Sequence, residues 1–429
     1  MSIAKSTILN LLGHAAPLFA ALFAIPLLVT NLSPERLGFL SLAWVIVGYF
    51  SLFDLGLGRA LTRLIAERLG TTREIELPPL TRMSLLILFA LGVIAAFLLF
   101  CLSYWLCTSV LKLPTDIRDE SARALQILVL CLPFVTLTSA LRGVLEATHR
   151  FDWVNALRIP LGVLTFMIPV WVTTYTKDLC VLCGALALLR FFTCLSHWIV
   201  CSRLYPQWIG WGLLKKNGLK QLLNDGMWIN ISNIVGPAMV YLDRFVIGTL
   251  TSVAAVAFYT APYELVTRLS LIPGALTGVL FPVFASSHSD DILRSTRIYN
   301  KALLILFIAM TPLCMITAWF APFWLDTWLG QEYAREGVNV ARILAIGVLF
   351  NSLAYLPFTW LQATGRANLT ARMHLIELPV YILALSLLVP VYGITGAAVS
   401  WTGRCIFDAA LMFLFAHRQI HFIAPSSKI

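Results

Sequence analysis

The chain of 429 residues is too apolar to be a soluble globule. Hydrophobic residues make up 59% of it and charged residues only 12%, whereas a soluble domain carries about 25% charged residues. The formal net charge of +10 arises from 31 Lys and Arg against 21 Asp and Glu, but no basic run is interleaved with aromatic residues, so we expect no nucleic-acid partner. The composition therefore predicts an all-α polytopic membrane protein.

Apolar runs of about 20 residues, the length that crosses a bilayer as a helix, predict about twelve transmembrane helices. They lie near residues 9–30, 37–57, 83–106, 123–145, 156–175, 179–201, 226–249, 253–282, 301–322, 339–361, 372–391 and 394–416. The first run lacks a small-residue cleavage site, so we expect it to remain as a helix rather than to be removed as a signal peptide.

Basic residues alternate between the two sides of these spans. About twenty of the 31 Lys and Arg residues fall in loops on one side, which should be cytoplasmic because Lys and Arg accumulate there. The other side holds only Arg36, Lys112, Arg118, Arg123, Lys177 and Arg335. The alternation predicts that both termini are cytoplasmic.

An internal repeat divides the chain. Leu145–Arg150 reads LEATHR, and Leu361–Arg366, at a shift of 216, reads LQATGR. Because six spans per repeat is an even number, the two halves should share one orientation and be related by an axis along the membrane normal. We predict an N-terminal six-helix lobe over 1–202, a cytoplasmic connector over 203–225 and a C-terminal six-helix lobe over 226–429.

The sequence contains no Ser/His/Asp signature, phosphate-binding P-loop or His-rich metal cluster. We therefore predict no ATP hydrolysis, no catalytic or metal-ligating residues and no cofactor. The loops predicted on the outer side are short, which leaves no room for a periplasmic catalytic domain. Cys180 and Cys183 have the spacing of a redox or metal motif, but they open an apolar helix without a second ligand pair, so we interpret them as buried hydrophobes.

Charged residues inside the predicted spans are the main candidates for function, because each costs about 2.5–3.5 kcal/mol at the centre of a bilayer. The stretch 226–284 contains Asp243, Arg244, Glu264 and Arg268 among several prolines and glycines. Broken helices at membrane depth are tolerated only where protein or water satisfies the backbone. This stretch therefore predicts the wall of a cavity.

Arg190 and Arg404 lie near the middle of the sixth and twelfth predicted spans. Asp408 follows Arg404 by four residues and Glu264 precedes Arg268 by four, so each arginine could be neutralised within its own helix instead of binding a ligand. Both interpretations stay open for Arg268 and Arg404. Arg190 has no acid in its own span.

The arginines within the spans outnumber the acids: Arg190, Arg244, Arg268, Arg342 and Arg404 stand against Asp243, Glu264, Glu377 and Asp408. A cation antiporter would need uncompensated carboxylates, whereas spare guanidinium groups favour a phosphate or another anionic headgroup. We predict a cationic substrate-binding cavity that contains Arg190, Arg268, Arg404 and His14.

The glycine-rich stretch from Asp54 to Arg59, DLGLGR, ends the second span at the cytoplasmic surface. It is either a gate that captures a headgroup or a tight helix-packing corner capped by an ion pair. On the first interpretation Asp54 and Arg59 form an inner gate pair, and Asp243 and Arg244 form an outer one.

Several of these motifs resemble those of the polysaccharide-exporter and O-antigen flippase family, within the multidrug/oligosaccharidyl-lipid/polysaccharide flippase superfamily. They are LSPERLGF at Leu32–Phe39, DLGLG at Asp54–Gly58, DRFVIG at Asp243–Gly248, Tyr259, Tyr263, Arg268 and LFP at Leu280–Pro282. The lipid II flippase branch looks similar but carries about two further helices, so peptidoglycan precursor export is disfavoured.

The resemblance implies a V-shaped pair of six-helix lobes in the bacterial inner membrane. It also implies that undecaprenyl-pyrophosphate-linked oligosaccharide units, such as O-antigen units for lipopolysaccharide, are moved from the cytoplasmic to the periplasmic leaflet by alternating access. Expected partners are this lipid-linked glycan, membrane lipids and a polysaccharide polymerase. Two alternatives remain: an ion-coupled drug or cation antiporter of the same superfamily, and a membrane enzyme that polymerises or ligates glycan.

Overall fold

The computed structural model describes residues 3–52, 57–72, 74–111, 113–210, 239–286 and 292–423. Within these ranges all regular secondary structure is helical. The chain forms two compact units, of which unit 1 comprises Met1–Tyr241 with Ser252–Ala254, and unit 2 comprises Leu242–Thr251 with Ala255–Ile429. The predicted connector, 203–225, lies mostly outside the described residues.

The helices of unit 1 are α1 (Ile3–Asn31), α2 (Pro34–Leu52), α3 (Leu57–Arg68), α4 (Leu77–Trp105), α5 (Thr115–Val129), α6 (Leu132–Ala147), α7 (Phe151–Thr173) and α8 (Leu179–Leu204). The α4 helix continues into one π-helical turn, Leu106–Val110. The helices of unit 2 are α9 (239–250), α10 (Val253–Thr267), α11 (Leu271–Ser286), α12 (Ile292–Trp319), α13 (Ala321–Leu329), α14 (Gln331–Ala363) and α15 (Ala367–Ile423). The first residues of α9 and α10, 239–241 and 253–254, belong to unit 1.

Eight helical segments of the described chain are long and apolar enough to cross a membrane. They are Glu74–Val110, Thr115–Ala147, Phe151–Thr173, Leu179–Leu204, Val253–Phe281, Ser295–Trp319, Gln331–Ala363 and Asn368–Gln419. The last segment covers two predicted spans, and the first two predicted spans fall on α1 and α2. The prediction of an all-helical, multi-pass membrane protein is confirmed.

Two predicted spans are interrupted, and a third break lies between two predicted spans. The span at 123–145 is split between α5 and α6 just before Pro133, which cannot donate a backbone hydrogen bond. The span at 253–282 is divided by a 3₁₀ turn, Arg268–Ser270. At Gly393 the backbone of α15 leaves helical geometry, with φ 56° and ψ −135°.

The α15 helix folds back on itself at Gly393. A Cβ atom on Gly396 would clash with the backbone of Leu388, so the two halves touch beside the turn. Further from the turn, the guanidinium carbon of Arg404 lies 5.5 Å from the centre of the Tyr381 ring. The two halves therefore form an antiparallel helical hairpin, and its register decides which side chains of α15 meet.

The sequence repeat corresponds to the same helix-ending turn in both units. After α6, the Arg150 backbone N–H donates to the Leu145 carbonyl at 2.8 Å, and after α14 the Arg366 N–H donates to the Leu361 carbonyl, also at 2.8 Å. The preceding residues have left-handed backbones, with φ 57° at His149 and 77° at Gly365. This geometry is a Schellman C-cap, formed once in each unit.

Candidate functional site

The charged residues of α9 and α10 meet inside unit 2. The Asp243 carboxylate is fully buried. It accepts a hydrogen bond from the Tyr259 hydroxyl at 2.6 Å and another from the Arg244 backbone N–H at 2.7 Å. These donors replace water around a buried charge, which is a condition for its presence in an apolar interior.

Glu264 joins two arginines. Its Oε1 atom accepts a hydrogen bond from Arg244 Nη2 at 2.9 Å, and its Oε2 atom accepts one from Arg268 Nη2. The Arg244 side chain is 2% exposed, whereas the Arg268 side chain is 36% exposed. Of the two arginines that share this carboxylate, Arg268 is therefore the one that a ligand can reach.

Aromatic rings connect this network to α15. The guanidinium carbon of Arg244 lies 4.6 Å from the centre of the Tyr263 ring. The Tyr263 ring packs edge-on against Trp401, with centroids 5.6 Å apart. Trp401 and Tyr381 in turn lie beside Arg404, whose guanidinium carbon is 5.9 Å and 5.5 Å from their ring centres. Such ring faces stabilise cations where water is scarce.

Arg404 forms no ion pair with a carboxylate of the described chain. Its Nη2 atom lies 3.6 Å from Cys405 Sγ, and its Nε atom is buried without a hydrogen-bond partner. Asp408, the partner that the sequence spacing offered, lies instead beside His374 and Glu377. Of the two expected helical pairs, the Glu264–Arg268 pair is therefore formed, and the Arg404–Asp408 pair is not formed in the described chain.

Arg190 lies in α8 of unit 1, next to Cys131 of the α5–α6 break. Its side chain is partly exposed. Within the described residues its guanidinium has neither an ion pair nor a hydrogen bond. Arg190 thus joins Arg404 as an arginine in a membrane-spanning helix that forms no ion pair with an acid of the described chain.

The other predicted site residues are not positioned by the structure. Asp54 lies outside the described residues. The backbones of His14 and Arg59 belong to α1 and α3, but their side chains also lie outside them. The structure gathers Arg268 and Arg404 in unit 2 and leaves Arg190 in unit 1.

Away from the ends of the predicted spans, the described charges of unit 2 balance. Four arginines, Arg244, Arg268, Arg342 and Arg404, stand against four acids, Asp243, Glu264, Glu377 and Asp408. The excess of positive charge that the sequence predicts therefore depends on Arg190 and on which acids are neutralised by other groups. Which of these charges form ion pairs therefore says more about ligand binding than the numbers of arginines and acids.

Sequence reasoning gave no role to the residues that support these charges. Tyr259 and Tyr263 are four residues apart on α10, which places both on one face of that helix, where Tyr259 contacts Asp243 and Tyr263 contacts Arg244. That spacing was available from the sequence. Tyr381 and Glu377 come close to Arg404 and Asp408 only because α15 forms a hairpin, and nothing local in the sequence shows its register.

Comparison with known proteins places the chain among membrane transporters. Residues 3–288 match the family model described as polysaccharide biosynthesis protein. A protein of Shigella flexneri, provisionally named an O-antigen transporter, is 33% identical over 419 residues, which cover 96% of this chain and 97% of the relative.

Solved structures with the same fold include an inward-facing multidrug resistance transporter of the MATE family. It matches with a TM-score of 0.76 and 15% identity over 97% of this chain and 99% of its own. A MOP superfamily transporter from Pyrococcus furiosus matches with a TM-score of 0.70 and 16% identity over 98% and 96% of the two chains. At this identity the likeness shows the fold alone.

Proposed function

Because the chain belongs to the polysaccharide biosynthesis protein family, we propose that this membrane transporter is a flippase for undecaprenyl-pyrophosphate-linked oligosaccharide units. The units, O-antigen or a similar polysaccharide repeat, would pass from the cytoplasmic to the periplasmic leaflet of the bacterial inner membrane by alternating access. Both termini would face the cytoplasm, with six-helix lobes over 1–202 and 226–429 and a connector between them. A polysaccharide polymerase would receive the product.

The observation that carries this proposal is the pair of arginines without an acid, Arg190 and Arg404. Each lies within a helix that is apolar enough to cross the membrane. A charge at such a position costs about 2.5–3.5 kcal/mol unless something compensates it. Since no carboxylate of the described chain forms an ion pair with either arginine, we infer that an anion bound by the protein completes the compensation.

A pyrophosphate headgroup fits these residues chemically. Its oxygens accept paired hydrogen bonds from the planar guanidinium group, and the resulting contacts are stronger than neutral hydrogen bonds. Within unit 2, Arg268 is a further, partly exposed guanidinium, held in place by Glu264. The protein would thus replace the water that a charged headgroup loses on entering the membrane, while the lipid tail stays in the bilayer.

The experiment that tests this proposal is complementation of a deletion in the native host. Lipid-linked sugar units are assayed in spheroplasts by leaflet accessibility, together with mature surface glycan. Loss of the gene should leave the units on the cytoplasmic face and abolish surface glycan. Arg190→Gln, Arg268→Gln and Arg404→Gln should fail to restore it at normal protein levels, whereas Arg335→Gln, at an 81% exposed side chain, should restore it.

The outcome also separates the alternatives. Surface glycan that persists in the deletion strain, or in the Arg268→Gln and Arg404→Gln strains, contradicts the flippase. Proton- or sodium-linked efflux of an organic cation, with glycan unchanged, would support a drug or cation antiporter. Units that reach the periplasmic face and remain unpolymerised would support a glycan polymerase or ligase.

A further inference from the structure

Three potential metal ligands meet across the α15 hairpin. His374 and Glu377 lie on its first half, one turn apart, and Asp408 lies on the second half. A ring nitrogen of His374, a carboxylate oxygen of Glu377 and a carboxylate oxygen of Asp408 all lie within 4.8 Å of one another. The sequence predicts no metal site here, because Asp408 is 31 residues from Glu377 in the chain.

The cluster is buried and short of donors. The Glu377 residue is 1% exposed, and neither of its carboxylate oxygens has a hydrogen-bond partner in the described chain. His374 Nδ1 and Asp408 Oδ1 are likewise buried without a partner. Buried polar atoms are nearly always satisfied, so a group of four exceptions in one place requires an explanation. Two adjacent carboxylates with no donor between them require either a proton shared by the two groups or a bound cation.

We propose that His374, Glu377 and Asp408 bind a divalent metal ion of the first transition row, with Zn²⁺ and Mn²⁺ as the best candidates. One imidazole and two carboxylates are a ligand set that these ions accept. A divalent ion also balances the two negative charges of the carboxylates. Ligand atoms about 2.0–2.2 Å from a tetrahedral Zn²⁺ lie about 3.3–3.6 Å apart, so side-chain rotations that draw the atoms together from 4.8 Å would complete the site.

The surroundings are compatible with this ion. The His374 ring stacks on Phe358 of α14, with centroids 6.1 Å apart and planes 21° from parallel, which fixes its orientation. Arg404 is the nearest cation, one turn before Asp408, but its guanidinium faces Tyr381 and Trp401 and forms no ion pair with either carboxylate in the described chain. The carboxylates are thus left available for the metal, which has no part in the proposed headgroup contacts of Arg404.

The test is metal binding by the full-length protein in detergent after treatment with a chelator. Zn²⁺ is titrated by calorimetry, and Co²⁺ is used as a spectroscopic probe, because its visible absorption reports the coordination geometry. We expect one site per chain. Glu377→Gln and Asp408→Asn should each weaken Zn²⁺ binding by at least about tenfold, since even changes to outer-shell groups cost about 10–100-fold.

Glu336→Gln, in an exposed ion pair on α14, is the matched control and should bind Zn²⁺ like the unmodified protein. If Glu377→Gln does not fold, His374→Gln provides the same comparison, because His374 is partly exposed. Absence of stoichiometric Zn²⁺ and Mn²⁺ binding, or equal binding by all variants, overturns the proposal. A proton shared by the two carboxylates would then be the occupant.

Discussion

Replacing Glu264 by Gln tests whether one carboxylate holds both Arg244 and Arg268 in place. The substitution keeps the shape of the side chain but removes its charge. Glu264 accepts a hydrogen bond from each arginine, at 2.9 Å from Arg244. Both arginines therefore lose their ion pair with Glu264 at once.

The two arginines should respond differently because their burial differs. Removing one member of a buried ion pair costs about 3–5 kcal/mol, since the other charge stays in an apolar environment. Arg244 is 2% exposed, but Glu264 is 28% exposed, and the Tyr263 ring still supports the guanidinium. We therefore expect Glu264→Gln to lower the free energy of unfolding by about 2–3 kcal/mol.

Arg268→Gln is the matched comparison. Arg268 is 36% exposed, and its removal leaves Glu264 paired with Arg244. An ion pair with this exposure is worth about 1 kcal/mol or less. Arg268→Gln should therefore fold almost normally and reveal any defect in transport, whereas Glu264→Gln should mainly lower stability.

The assay is thermal unfolding of both purified variants in the same detergent, followed by tryptophan fluorescence, with size-exclusion profiles as a check on folding. The melting temperature should fall clearly more for Glu264→Gln than for Arg268→Gln. Equal melting temperatures, or a more stable Glu264→Gln, would refute the idea that Glu264 compensates a buried Arg244.

Three further predictions test other parts of the structure. His149→Gly should raise the free energy of unfolding and Gly365→Ala should lower it, each by about 1 kcal/mol, because both positions have a left-handed backbone. Gly365 has open space where a Cβ atom would lie, so the backbone conformation alone decides the effect. Changes of the opposite sign in thermal unfolding would contradict this. Glu120→Gln should lower the free energy of unfolding by about 1–2 kcal/mol, because Glu120 accepts two hydrogen bonds from Arg36, at 2.6 and 2.7 Å, and one from the Leu179 N–H at 2.7 Å. An unchanged melting temperature would show that these hydrogen bonds do not stabilise the fold. Gly347→Ala should impair complementation, because its Cβ would lie 2.5 Å from the Trp401 ring and displace this ring from its position beside Arg404. Gly403→Ala, with nothing within 4 Å of its Cβ, serves as the control. Equal complementation by both variants would exclude a role for the Trp401 ring.

Local features of this protein could be predicted from its sequence. The apolar runs locate the membrane helices because burial in lipid requires length and composition alone. Glu264 and Arg268 pair as their spacing on α10 and the following turn suggests. The LEATHR and LQATGR motifs indicate equal turns because both encode the same cap hydrogen bonds.

Features that depend on helix packing could not be predicted in the same way. Arg404 and Asp408 have the spacing of Glu264 and Arg268, yet they do not pair. The hairpin places Tyr381 opposite Arg404, and Glu377 and His374 opposite Asp408, so contacts across the turn replace those along the helix. The register of a hairpin follows from packing at Gly393 and Gly396, which periodicity does not show.

The two Schellman caps bear on how the chain is made. The turn between α6 and α7 spans only 148–150, and the turn between α14 and α15 only 364–366. So few residues, at about 3.3–3.6 Å each when extended, cannot bridge a bilayer, so the helices that each turn joins must enter it from the same side. During synthesis, each such pair is therefore expected to enter the membrane as one helical hairpin.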